Sequence, residues 1–201
     1  MTDQINPQQE HILEEGFEEV TSQGVRAFTV ESLASRLAMS KKTIYKFFPT
    51  KEDLLDKILE FATDRIVNEI ERIRLEEPNP ARRFILMMDF IIKMAGKVSP
   101  QRLSELKGRY PLLWKKLEQF RLEWRADFYE FLSDAQKAGY VRVDMDIDAV
   151  ATLYIHIVNS TFQPEFFVQN DMSVSKTIRL FVDIITQGLF TEKGLKSVGT
   201  E

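Results

Sequence analysis

Ser40 to Lys51 reads SKKTIYKFFPTK, and this stretch decides the fold. Serine is a favourable N-cap, and Ile44, Phe47 and Phe48 follow it at helical spacing, which predicts a short helix over 41–48. At ~100° per residue those three apolar side chains share one face, so Lys42 and Lys46 point the opposite way, flanked by Thr43 and Tyr45. The outward face is basic and rich in hydrogen-bonding groups. Lys41 and Lys42 occupy the first turn, where the helix dipole favours anions, and Lys42 and Lys46 form a like-charged i, i+4 pair. A phosphate backbone reverses the sign of both penalties, because the lysines and the helix N-terminus then face one polyanion. The alternative is an ordinary solvated lysine face, and the residues that precede the helix weigh against it.

Upstream, Ile12, Leu13, Gly16, Phe17 and Val20 make an apolar stripe on a helix expected over 7–22, which Gly24 ends. Thr29 is placed to cap a second helix of about eight residues, carrying Val30, Leu33, Ala34 and Leu37 at i, i+3, i+4 and i+7. A turn of about three residues, Ala38 and Met39 among them, then leads to Ser40, the spacing of a helix-turn-helix. Downstream, Pro49 stops the Ser40 helix, and Thr50 with Asp53 forms a capping-box pattern for the next.

With 201 residues, 44% of them hydrophobic and 29% charged, the chain is long enough to bury a substantial core. It has no cysteine, which excludes disulfides, thiolate metal sites and a cysteine nucleophile. The N-terminal twenty residues are acidic and lack a signal-peptide pattern, and no apolar run approaches the ~20 residues of a membrane span, so a soluble cytoplasmic protein with no membrane partner is expected. A formal net charge of -4 on its own argues against nucleic acid as a partner. Its distribution argues the other way. Arg36, Lys41, Lys42, Lys46 and Lys51 fall in one stretch without an acid, whereas Asp3 to Glu19 is dominated by acids.

Beyond Lys51 a long helix is expected to Glu76, with Leu54, Leu55, Ile58, Phe61, Ala62 and Ile66 on its inner side. The segment EEPNP, Glu76 to Pro80, punctuates the chain. Most of the Phe and Met and both Trp lie after it, which points to a large second core. Helices are expected over about 80–97, 101–107, 111–138, 146–163 and 173–190, with Gly139 stopping the third of these and the polar residues from Glu192 to Glu201 fraying. No strand pattern competes, so the fold class is all-α. In the last two helices Val174, Ile178, Phe181, Val182, Ile185 and Leu189 form one stripe, widened by Leu180 and Ile184, and the helix from Ile147 to Phe162 is as apolar. Helices of this kind must be covered on two sides, inside one subunit or by a second.

The run ILEEGFEEVTSQGVRAFTVESLASRLAMSKKTIYKFFPTKEDLL, Ile12 to Leu55, resembles the N-terminal DNA-binding domain of TetR-type transcriptional repressors. The telling pieces are GVRAFTV, SKKTIYKFF and PTKEDLL. The resemblance implies a helix-turn-helix domain over 1–50, a linking fourth helix over 51–77 and a helical ligand-binding and dimerisation domain over 78–201. It implies DNA contacts from Thr29, Ser40, Lys41, Lys42, Thr43, Tyr45, Lys46 and Lys51. The sequence departs from the family pattern at Ala38, commonly a turn glycine, and at Lys42, commonly a small residue.

By the same resemblance the last two helices pair with those of a second subunit, and Leu153, Ile157, Thr161, Ile178, Phe181, Val182, Ile185 and Leu189 are the expected interface. Such a homodimer presents two recognition helices to half-sites of a palindromic double-stranded operator. A small apolar effector is expected to bind between the C-terminal helices and release the DNA. Phe84, Met88, Ile91, Trp114, Trp124, Phe128, Tyr154, His156 and Asn159 are its expected lining, with core packing as the plainer role for each. His156 serves equally as an ordinary hydrogen-bonded or interface histidine.

No phosphate loop, nucleophile elbow or triad context is present, so an enzyme is not expected, and no cofactor is implied. Two histidines, His11 and His156, cannot make a His-rich metal site. The rival reading is a helical ligand- or lipid-binding protein of the same fold without a DNA function. The lysines of the Ser40 helix discriminate, because a carrier has no need of them.

Overall fold

The computed structural model describes residues 6–199, and among these the chain is all-helical, its one extended pairing being an isolated antiparallel bridge between Val141 and Phe190. Four helices open the fold: α1 (Pro7–Gln23), α2 (Val30–Arg36), α3 (Lys41–Phe47) and α4 (Lys51–Glu76). Each begins at a side-chain cap. Asn6 and Gln9 form a capping box for α1, Thr29 accepts from the Ser32 amide, Ser40 from the Thr43 amide, and Thr50 and Asp53 cap each other's backbone.

The turn between α2 and α3 closes without glycine. Ala38 takes φ 51°, its amide donates to Ser35 O at 3.2 Å, and the Met39 amide reaches Ala34 O at 2.9 Å. This is the two-bond Schellman arrangement, with alanine in the left-handed position. Gly139 plays that part with less strain after α8, at φ 77°.

The remaining helices are α5 (Pro80–Ala95), α6 (Pro100–Arg109), α7 (Pro111–Glu123), α8 (Arg125–Lys137), α9 (Ile147–Thr161), α10 (Pro164–Gln169), α11 (Val174–Leu189) and α12 (Glu192–Val198). Two apolar cores result. Ile12, Phe17, Phe28, Leu33, Ile44, Phe48, Leu54 and Ile58 fill the first, and Leu113 of α7 reaches into it. Ile70, Ile73, Phe84, Met88, Phe128, Leu132, Tyr154 and Val182 belong to the second. α4 therefore contributes to both, through Leu54 and Ile58 near its start and Ile70 and Ile73 near its end.

Three expectations are corrected. The helix expected over 111–138 is two, divided at Trp124, where φ -64° and ψ -10° end α7; neither Pro nor Gly marks the point. α10 is an additional short helix, opened by Pro164. Of the tail expected to fray, Glu192–Val198 form α12, while Thr200 and Glu201 lie outside the described residues. Thr191 caps α12, and Gly194 lies so close to Tyr140 that a Cβ there would stand 2.2 Å from its carbonyl oxygen. Leu195 and Val198 pack on the second core, a tertiary anchor that polar composition conceals. Among the described residues no helix is long and apolar enough to cross a membrane.

Candidate nucleic-acid interface and cavity

Ile44 is fully buried and Phe48 nearly so, which fixes the rotation of α3 against the first core. Phe47 is half-buried and packs on the same core. Lys42, Tyr45 and Lys46 are consequently exposed, and none of their side chains has a hydrogen bond or ion pair among the described residues. Thr29 and Ser40 stand exposed at the caps of α2 and α3, and Ser40 Oγ lies 2.8 Å from Thr43 Oγ1.

Three other cations of this region are engaged. Lys41 Nζ donates to Glu31 Oε1 at 2.5 Å, a contact that raises the lysine's affinity for its proton and lowers the glutamate's. Arg36 pairs with Glu15. Lys51 turns inward, donating to Val25 O at 3.1 Å and to Phe28 O, with its ammonium 5.5 Å from the centroid of the Phe28 ring. Burial pushes its pKa below the usual lysine value. Of the eight residues expected to meet DNA, Lys42, Tyr45 and Lys46 share one open face with Thr43 and Ser40 beside it, and Lys51 stands apart.

Behind α4 lies a cavity of about 280 Å³ with an almost wholly apolar lining. Phe17 and Val20 of α1 and Leu55, Ile58 and Ala62 of α4 form one wall, and Leu117, Phe120 and Ile155 are among the residues opposite. Ile91, Trp114, Trp124 and Tyr154, named from the sequence as an effector's lining, are among the residues that line this cavity. Phe84, Met88 and Phe128 do not. They pack in the second core, where Phe128 stacks on Tyr154 with ring centroids 3.9 Å apart. His156 is exposed on α9, and Asn159, although its Oδ1 is buried without a partner, is not part of the lining.

Most of the cavity lining lies outside the residues expected from the sequence, and two of those residues, Arg102 and Arg121, are charged. Arg102 donates to Thr21 O at 2.8 Å and ties α6 to α1. Arg121 sits over the Trp114 ring at 5.2 Å and donates to Phe162 O at the C-terminal end of α9. Burial pushes its guanidinium below the usual arginine pKa, against the pull of Glu118. The signal was available: Trp114, Leu117, Arg121 and Trp124 recur at i, i+3, i+7 and i+10, so a charge interrupts an apolar stripe.

The apolar faces of α9 and α11 also differ from expectation. Ile178, Val182 and Leu189 are buried inside the same chain, since α11 packs on α5, while Phe181 and Ile185 are half-buried against the same core. Phe181 stacks on Tyr154 of α9 at 5.5 Å. The exposed apolar residues are Leu153 (62%) and Ile157 (41%) on α9, and Leu180 (54%) and Ile184 (59%) on α11; Thr161 is half-buried beyond them. The α11 stripe named for a subunit interface is thus mostly internal, and its flank is what solvent meets.

Residues 12–58 match the family model described as bacterial regulatory proteins, tetR family. The uncharacterized HTH-type transcriptional regulator YvaF of Bacillus subtilis strain 168 is 23% identical over 183 residues, covering 90% of this chain and 95% of that protein. The fold is shared with the ketosteroid transcriptional regulator KstR2 of Mycobacterium tuberculosis, at TM-score 0.55 and 20% identity over 94% of this chain and 98% of the other. A transcriptional regulator from Cytophaga hutchinsonii ATCC 33406 superposes at TM-score 0.70 with 14% identity, over 92% of this chain and 100% of its own.

Proposed function

The chain belongs to the TetR family of DNA-binding transcriptional regulators, and from that premise we propose that it is a homodimeric repressor that grips a palindromic operator through α3 and releases it when a small effector fills the cavity behind α4. The observation that carries the reading is the open face of Lys42, Tyr45 and Lys46, whose cations lack partners while Arg36 and Lys41 nearby have them. Unpaired lysines on a rigid helix suit phosphate contact, with Thr43 and Ser40 in reach of the same backbone.

Leu153, Ile157, Leu180 and Ile184 lie on two neighbouring helices, and an exposed apolar surface of this kind suits an isologous contact with a second copy. Two recognition helices related by that two-fold axis require half-sites about one DNA turn apart. Release follows from the cavity's position. α4 carries the first core at one end and supplies cavity wall through Leu55, Ile58 and Ala62, so an occupant that displaces α4 changes the separation of the two α3 helices.

The test is a salt titration of binding to the DNA upstream of the protein's own reading frame, with random DNA as competitor. Two subunits per site and survival of competitor are expected. Lys42→Ala and Lys46→Ala should each lower the salt slope by about one unit with the fold intact. Unchanged affinity in both variants would remove α3 from the interface.

A further inference from the structure

Arg121 is incompletely satisfied in a way that specifies what is missing. Its Nη1 donates to Phe162 O at 3.2 Å, but Nε and Nη2 are sealed from solvent and have no partner. The same holds for Trp124 Nε1, one turn further along the chain. Both side chains line the apolar cavity. Glu118, the acid that acts on Arg121 electrostatically, forms no ion pair with it, and its Oε1 accepts from Trp114 Nε1 at 2.8 Å and from Gln163 Nε2 at 2.9 Å.

Every unmet group lining the cavity among these is a donor. Nε and Nη2 form one edge of the planar guanidinium, and two parallel N–H bonds from such an edge match the two oxygens of a carboxylate. A buried cation without a counter-ion is costly, whereas the same cation beside an anion in a dry site is strongly stabilised. Most of the rest of the chamber, Leu59, Ile66, Met94 and Val158 included, offers hydrocarbon and sulfur, while Thr21, Arg102, Trp114 and Tyr154 of the lining already donate to partners within the chain.

We propose that the cavity takes an amphipathic carboxylate of the fatty-acid type, its chain among the apolar side chains and its head on the Nε–Nη2 edge of Arg121 with Trp124 Nε1 as a further donor. This deepens the proposed function only in taking the occupant to be the effector; the binding itself stands apart from DNA.

Isothermal titration of the full chain without DNA tests it, with decanoate, decan-1-ol and decyl phosphate as probes. Decanoate should bind about tenfold or more tighter than decan-1-ol, because only the anion completes the guanidinium. Arg121→Met should abolish that preference while leaving decan-1-ol binding within about twofold. Arg121→Lys, which keeps the charge but not the fork, should lose most of it, and Trp124→Phe a smaller part. The latter two variants carry the test if the methionine variant does not fold. Equal affinity for decanoate and decan-1-ol, no decanoate binding, or decyl phosphate binding more tightly than decanoate would overturn the assignment. If decanoate binds as described but does not weaken DNA binding, the effector reading fails and the site remains.

Discussion

Lys51 Nζ donates to the main-chain oxygen of Val25 at 3.1 Å, so the first residue of α4 holds the connector between α1 and α2. Phe28 O accepts from the same ammonium. Lys51→Met should lower unfolding stability by about 1–2 kcal/mol, the worth of charge-assisted bonds lost from a partly buried site. Chemical denaturation measures this. The salt slope of DNA binding should stay as in the parent chain; a fall of about one unit would mean that Lys51 also touches phosphate.

Ala38 holds the left-handed position of the α2–α3 turn at φ 51°. A Cβ there costs about 1–2 kcal/mol, and glycine removes that cost while adding about 0.4–1 kcal/mol of unfolded-state entropy. Ala38→Gly should therefore raise the urea midpoint by a net gain of about 0.5–1 kcal/mol, with the m-value unchanged.

The two flanks of α11 should respond differently to substitution. Leu180→Glu with Ile184→Glu places charge on the exposed face, and sedimentation should show a folded monomer. Val182→Ala opens space on the buried face and should cost about 1–3 kcal/mol of stability without changing the subunit count. A doubly substituted protein that remains dimeric would relocate the subunit interface.

Tyr154 is buried between Phe128 and Phe181, and burial alone holds its phenol pKa well above the usual 10.0. The folded state thus keeps a proton that the unfolded chain releases, so the stability tied to this phenol is complete below about pH 10 and declines as pH rises further. The decline approaches about 1.4 kcal/mol per pH unit. Tyr154→Phe loses the 3.5 Å contact from the hydroxyl to Met88 Sδ but should flatten this alkaline limb. Denaturation series at rising pH on both proteins compare the slopes.

The sequence alone determined where the first four helices start and which face of α3 turns outward, because these depend on groups within about four residues of one another. Thr29, Ser40 and Thr50 cap their helices wherever the rest of the chain goes, and Ile44 turns Lys42, Tyr45 and Lys46 outward once α3 forms. Tertiary structure decided what remote neighbours control. α11 is apolar on more than one side, and only its packing on α5 turned Ile178 and Val182 inward and left Leu180 and Ile184 to solvent. From the sequence Lys51 is expected among the DNA contacts, and only the folded connector shows that it donates to the carbonyls of Val25 and Phe28. Arg121 lies within the stretch expected as one long helix over 111–138, and only the tertiary packing around the cavity left two of its nitrogens dry and unpaired. Periodicity shows how far around a helix the apolar surface extends, but the partner that covers each side is set by contacts between residues far apart in the chain.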